Sequence, residues 1–296
     1  FQGTVLGSPL RNLFYEDARH SVNDKGFSES VFADDFNCWK SFGVRHTAVE
    51  EDQAKALDEL KQVQQELHLW GDANRVIFDP SKESFHLLHR RFYSGEDFKL
   101  LGVVFDSALL MHHAAREVAT EAGWRLQTLL KVRRFFTTPE LFRMYKAQVL
   151  SNAESGTPAL YHAAPSVLDR VDRVQRRFLR ELGFSEEAAL AHYRLAPLNS
   201  RRDMAMLGVL HKVNLGTAPK QLKELFPPRG PVEQPFDRQR LRRWRPPHTR
   251  QLHTEARFTS TDVLQRSLFG LVHLYNRLPQ HLVEAKSVKE FQRKLQ

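Results

Sequence analysis

Cysteine is almost absent from this sequence of 296 residues: there is one, Cys38. A single thiol cannot close an intrachain disulfide, and without partner cysteines a structural zinc site is excluded. Long apolar runs are absent as well. No stretch approaches the roughly 18–20 apolar residues needed to cross a bilayer. No positively charged start leads into a short apolar stretch, as a secretory signal would. There is no internal repeat and no low-complexity tract. These absences point to an intracellular, reducing compartment, with neither a membrane nor a disulfide-linked partner. What is present is ordinary in amount. Apolar residues make up 41% and charged residues 27%, which argues against wholesale disorder or a fibrous repeat. The length allows two domains with a core of real size. The chain begins with Phe1 rather than Met, so a longer parent protein is expected.

Charge is unevenly spread. Residues 1–100 hold 12 Lys/Arg and 17 Asp/Glu, a balance of −5. Residues 101–296 hold 32 and 18, a balance of +14, which completes the overall +9. An acidic first third joined to a basic remainder suggests a polyanion held by the second part, against the plainer reading of a soluble basic surface.

Periodicity changes along the chain in the same way. Leu10, Leu13 and Phe14 predict a short helix opening near Ser8-Pro9, and the polar stretch 19–30 reads as a loop. Two short aromatic and β-branched runs around Asp34-Asp35 predict a hairpin with the acids at its tip. Leu57, Leu60, Val63, Leu67 and Trp70 form one helical stripe over 47–70, with Thr47 as candidate N-cap and Gly71 as terminator. Residues 76–78, 84–88 and 99–105 are strand candidates separated by turns. From 106 onward the period is helical. Helices are predicted over 108–135, from the Thr138-Pro139-Glu140 start, over 165–182, near 186–194 and 200–215, and in one or two segments of 261–296. Residues 227–250 are rich in Pro, Gly and Arg and read as a basic linker.

The element with the most chemical content is Phe32-Ala33-Asp34-Asp35. Adjacent carboxylates repel, and a divalent cation compensates them. Hard oxygen donors suit Mg2+ or Mn2+. A tight turn between short strands holds both side chains in place, as two-metal phosphoryl chemistry requires. The same four residues also describe an Asp-Asp turn in an ordinary hairpin. In the basic part, Val167, Val171, Val174 and Phe178 predict a buried stripe on the 165–182 helix. Arg170, Arg173, Arg176, Arg177 and Arg180 fall on its exposed faces. They read either as a solvated surface or as a track for a phosphate backbone. Arg242 and Arg243 flank Trp244 in a run that either links two segments or holds single strands by phosphate pairing and stacking. His112-His113 lacks the spacing of a zinc protease, and Cys38 reads as a packing residue.

Taken in order, several segments carry a resemblance. Gln2-Gly3-Thr4-Val5-Leu6-Gly7-Ser8-Pro9-Leu10 comes first, then Phe32–Asp35 about thirty residues on. The long helix to Trp70 follows, then Phe78-Asp79-Pro80-Ser81-Lys82 and Phe98-Lys99-Leu100-Leu101-Gly102-Val103. This set resembles the second half of the palm of a reverse transcriptase of the LINE type, encoded by retrotransposons without long terminal repeats. The resemblance continues in Val174-Gln175-Arg176-Arg177-Phe178, in Leu195-Ala196-Pro197-Leu198 with Arg201-Arg202-Asp203, and in Tyr275-Asn276-Arg277-Leu278-Pro279. It implies an α+β fold: an incomplete palm (1–106), an all-helical thumb (107–226), a basic linker (227–260) and a C-terminal helical segment (261–296).

The resemblance also implies roles. Asp34 would bind the catalytic Mg2+ or Mn2+ with Asp35 beside it, and Phe32 would anchor the hairpin by packing. Gln2 and Gly3 would lie against template or nucleotide, and Lys82 near the leaving pyrophosphate. Leu101 and Gly102 would sit in the turn that steers the primer end. Arg173, Arg176, Arg177 and Arg180, with Arg242 and Arg243, would meet nucleic-acid backbone. The implied reaction is attack of a primer 3′-hydroxyl on the α-phosphorus of a deoxynucleoside triphosphate along an RNA template, in the nucleus. The sequence departs from the family at Phe1, where Pro is usual, and at Ser155, where Tyr is usual. It holds no counterpart of the fingers or of the palm's other metal-binding aspartate, so residues 1–296 alone are expected not to polymerise. Two other readings stay open: a non-catalytic nucleic-acid-binding remnant and a metal-dependent nuclease.

Overall fold

The computed structural model describes residues 6–32, 35–43, 47–89, 92–229, 248–254 and 263–295. The fold is α+β and mostly helical, with two small two-stranded hairpins. The chain divides into two compact units, Phe1–Phe98 and Lys99–Gln296.

In the first unit, α1 (Gly7–Phe14) and α2 (Glu16–Asp24) precede β1 (Ser28–Phe32), β2 (Asp35–Trp39) and the long α3 (Val49–Asn74). The α2 helix replaces the loop expected over 19–30. Only Ala18 and Val22, one turn apart, are buried on it, so the apolar signal is two residues long. Val22, Phe27 and Val63 form the unit's buried core, with Phe36, Cys38, Leu60 and Leu67 packed around them. Burial pushes the Cys38 thiol up from its ordinary value, as suits a packing residue. Glu29 of β1 is buried and takes Arg19 of α2 as partner at 2.9 Å. That partner satisfies a charge that would otherwise be costly inside.

The α3 helix starts after Ala48 with no side-chain cap, so Thr47 is not its N-cap. Nor does Gly71 end it. The helix runs on to Asn74 and stops at Arg75 in the left-handed region (φ 58°). Gly71 is buried, and a Cβ there would lie 2.6 Å from the Val76 carbonyl and 2.9 Å from the Phe78 ring. Its smallness lets the chain fold back on the helix. That returning segment is not a strand, and 84–88 contributes only a single bridge between Leu87 and Ser94.

From the last residue of the first unit onward, β3 (Phe98–Leu100) and β4 (Val103–Phe105) are two strands where one was expected over 99–105. The helix α4 (His112–Lys131) begins later than expected. Leu109 and Met111 are left-handed, and the Asp106 carboxylate accepts hydrogen bonds from the Leu110 and Met111 amides at 2.9 and 2.6 Å. Next, α5 (Thr138–Met144) is capped by Thr137 rather than Thr138. Glu140 accepts from both the amide and the hydroxyl of Thr137 at 2.7 Å. A π-helical turn (Tyr145–Leu150) carries it into α6 (Ser151–Ser155), followed by α7 (Thr157–Leu160).

The helix α8 (Pro165–Leu182) has the expected bounds and buries Val167, Val171, Val174 and Phe178. It is followed by α9 (Glu186–Tyr193), α10 (Leu198–Asn214) and α11 (Lys220–Leu225). Three short helices complete the chain: α12 (Leu268–Tyr275), α13 (Gln280–Val283) and α14 (Val288–Leu295). One core gathers α4, α5, the π turn, α8 and α9 around Leu126, Phe142, Tyr145 and Phe178. A second gathers α10 and α12–α14 around Leu210, Tyr275 and Phe291. The α10 helix belongs to both, through Leu198 in the first and Leu207 and Leu210 in the second. Among the described residues no helix is long and apolar enough to cross a membrane.

Candidate functional site

The acidic motif sits where the strands reverse. Phe32 pairs with Asp35 at the end of the β1–β2 ladder, so Ala33-Asp34 is the whole connection. Asp34 itself lies outside the described residues, as do Gln2 and Gly3. Asp35 is exposed and has no basic partner among the described residues. Its hard oxygen donors fit Mg2+ or Mn2+. Among the described residues no three His, Cys, Asp or Glu side chains converge into a metal-binding group. Phe32 does not anchor the hairpin by packing. It is 61% exposed, because its strand position turns away from the side that carries Val31 and Phe36.

Lys82 ends a short 3-10 turn (Pro80–Lys82) whose cap is Asp79, which accepts from the Ser81 amide at 3.0 Å and the Ser81 hydroxyl at 2.6 Å. Lys82 projects into solvent and pairs with Asp79 at 3.6 Å; no contact joins it to Asp35. In the second unit, Leu101 (φ 47°) and Gly102 (φ 86°) form the two-residue turn between β3 and β4. Both are left-handed, the geometry that matches the twist of a tight hairpin. Leu101 is an unusual residue to hold there, and it is exposed.

The arginines of α8 separate into two groups. Arg173 and Arg176 both pair with Asp169, the former at 3.1 Å. Arg170, Arg177 and Arg180 are exposed and have no acidic partner among the described residues. Beside α8, an open groove of about 540 Å³ is lined by Arg116, Ala119 and Thr120 of α4 and by Arg170 and Arg173 of α8. Arg116 was not among the residues singled out from sequence, since one arginine on a helix of mixed polarity carries no local signal. Arg242, Arg243 and Trp244 lie outside the described residues.

The remaining family-like segments are structural. In Val174-Gln175-Arg176-Arg177-Phe178, the first, second and fifth residues are buried, and the Gln175 amide donates to the Ala196 carbonyl at 2.9 Å. Arg202, buried on α10, holds Asp172 of α8 through two bonds of 2.7 and 2.9 Å. Arg201 binds Glu154 of α6, and Asp203 accepts from the Tyr161 hydroxyl at 2.6 Å. Tyr275 meets His211 at 3.0 Å and Asn214 at 2.9 Å, while Asn276 brackets the Leu252 backbone at 2.9 and 2.8 Å.

Set against family models, curated proteins and solved structures, the chain matches none of them.

Proposed function

We propose that this chain is part of an RNA-directed DNA polymerase of a retrotransposon, carrying the acidic hairpin of a palm and the helical thumb that follows it. The observation that carries the reading is the register of β1 and β2. It puts Asp35 opposite Phe32 on the last rung of the ladder, exposed and uncommitted to any described base. Also in its favour, a tight Leu101-Gly102 turn leads into a helical unit with a row of exposed arginines.

In this reading Asp34 and Asp35 hold Mg2+ or Mn2+, which when bound neutralises developing charge on the triphosphate. Asp34 and Asp35 fix the ion's position. Lys82 supplies a cation near the leaving pyrophosphate, Gln2 and Gly3 border template or nucleotide, and Leu101-Gly102 lies near the primer end. The arginines of α8, with Arg242 and Arg243, neutralise the duplex backbone. Template RNA, primer DNA and deoxynucleoside triphosphates are thus the proposed partners, in the nucleus. A second reading, a nucleic-acid-binding remnant without catalysis, is favoured by one observation: Arg170, Arg177 and Arg180 are exposed on α8, and they need no metal to meet a phosphate backbone.

Primer extension on an RNA template separates the two. The parent frame, including an upstream aspartate-bearing segment, is expected to incorporate nucleotides and to lose that activity on Asp34→Ala. Residues 1–296 alone are expected to give no product. Incorporation by the Asp34→Ala parent overturns the polymerase reading, and cleavage of nucleic acid without incorporation marks a metal-dependent nuclease instead.

A further inference from the structure

We infer that the groove between α4 and α8 seats the phosphates of a nucleic-acid backbone, and that Asp169 competes with that backbone for Arg173 and Arg176. The inference rests on the nucleic-acid part of the proposed function. It goes beyond it in naming the seat, its α4 wall and its internal competitor.

The two helices run side by side in the same direction. Near their starts, Ala114 and Ala115 share a core with Val167 and Leu168. Further along, Leu126 and Leu129 share one with Val174 and Phe178. Just past α4, Arg133 pairs with Glu181 at 2.8 Å near the end of α8. Between them, the open groove lies along residues 116–120 of α4 and 170–173 of α8. Arg170, Arg173 and Arg177 are spaced three and four apart, which puts them in a row on one face with rises of about 4.5 and 6 Å. Arg116 and Thr120 face the row from α4, one turn apart. Ala119, between them in sequence, keeps that wall low.

Three guanidiniums line the groove and no carboxylate does. Like charges held together favour a shared anion, and the planar guanidinium fork matches phosphate oxygens. An acidic peptide fits less well, because apart from Ala119 the lining offers no apolar anchor. The arginine row continues along α8 past the groove to exposed Arg177, which suits a polymer of phosphates better than one small anion.

Asp169 already pairs with Arg173 of the groove and with the neighbouring Arg176. Arg176 and then Arg173 keep its carboxyl below the usual carboxylate range, so it is ionised at neutral pH. A phosphate approaching Arg173 must displace it. Its removal should strengthen binding, the opposite of what loss of a contact residue does.

The test is fluorescence anisotropy of a labelled RNA–DNA duplex with the full 296-residue chain in EDTA, from about 0.05 to 0.2 M salt. Arg116→Gln/Arg170→Gln is expected to weaken binding about tenfold at low salt and to lower the salt slope by about two. Arg116→Lys/Arg170→Lys is expected to restore most of it. Asp169→Asn is expected to tighten binding about threefold, a gain that misfolding cannot produce. Unchanged binding by the double Gln variant, or unchanged or weaker binding by Asp169→Asn, overturns the inference while leaving the proposed function standing. Displacement of the duplex by equimolar inorganic phosphate overturns it in favour of a small-anion site. An unsubstituted 296-residue chain that binds no duplex at low salt removes both this inference and the nucleic-acid reading beneath it.

Discussion

Phe32 and Asp35 face each other across the last rung of the β1–β2 ladder, and both are exposed. A hairpin that ends on an exposed aromatic ring and an exposed carboxylate gains little stability from either. Asp35→Ala is therefore expected to change unfolding free energy by less than about 0.5 kcal/mol. In the proposed parent polymerase the same substitution should lower incorporation by about a hundredfold or more, the scale seen when a group stabilising transition-state charge is removed. Urea denaturation and single-nucleotide incorporation on one preparation give both numbers. A large stability loss with unchanged incorporation would make Asp35 a structural turn residue.

The pair between Asp172 and Arg202 makes the reverse prediction. Arg202 is 7% exposed and takes both oxygens of Asp172, tying α8 to α10. Asp172→Ala leaves a buried guanidinium without its counter-charge and should cost about 3 kcal/mol or more. Asp172→Leu with Arg202→Met should recover most of that loss, since two apolar groups leave no charge to solvate. Denaturant midpoints of the single and double variants check it; a double variant no better than the single would contradict it.

Gly71→Ala tests the crossing at the end of α3. Ala is the better helix former by about 1 kcal/mol. The added Cβ, however, meets the Val76 carbonyl and the Phe78 ring at 2.6 and 2.9 Å. Overpacking against backbone is expected to win, with a net loss of about 1–2 kcal/mol. A rise in melting temperature would show that the 76–78 segment gives way freely.

Acid sensitivity should begin with buried histidines. His211 is buried, bonded to Tyr275 and to the Ala285 carbonyl at 3.0 Å each, and stacked on Phe291 at 4.2 Å. His248 is buried as well and meets the Tyr275 carbonyl at 3.0 Å. Burial pushes both imidazoles below their ordinary value of 6.5. Below about pH 6.5 the unfolded chain binds protons that the folded chain refuses, so stability falls as pH drops from there toward the folded values. The carboxylates held low by their partners, among them Glu140 and Glu290, lose their contribution only at more acid pH. Thermal melts at pH 7.5 and 5.5 should show a lower midpoint at the lower pH. Ring-proton titrations of His211 and His248 should have midpoints below 6.5; midpoints at or above it would contradict the assignment.

How much of this was legible in sequence depended on whether the signal was local. The α8 helix was, because Val167, Val171, Val174 and Phe178 make a continuous apolar stripe that marks its buried face. The hairpin around Asp34-Asp35 was, because alternation changes on either side of it. The α2 helix was not, since two buried residues make no stripe. Gly71 misled because a buried crossing in mid-helix and a C-terminal glycine look alike in one dimension. Residues 99–105 looked like a single strand because Leu101, an apolar residue, occupies a turn position that usually goes to Asn, Asp or Gly. The packing role of Phe32 failed because strand parity decides which side it faces. In the α4–α8 groove, Arg116 meets Arg170 only through tertiary packing, which no spacing rule reports.

The central claim is that the β1–β2 reversal holds a divalent cation. The direct measurement is Mn2+-induced broadening of amide NMR signals in the 296-residue chain. Substoichiometric Mn2+ is expected to broaden Phe32, Asp35 and Phe36 first, with the effect lost in Asp34→Asn/Asp35→Asn. Broadening that spares these residues, or that persists in the double variant, would contradict the claim.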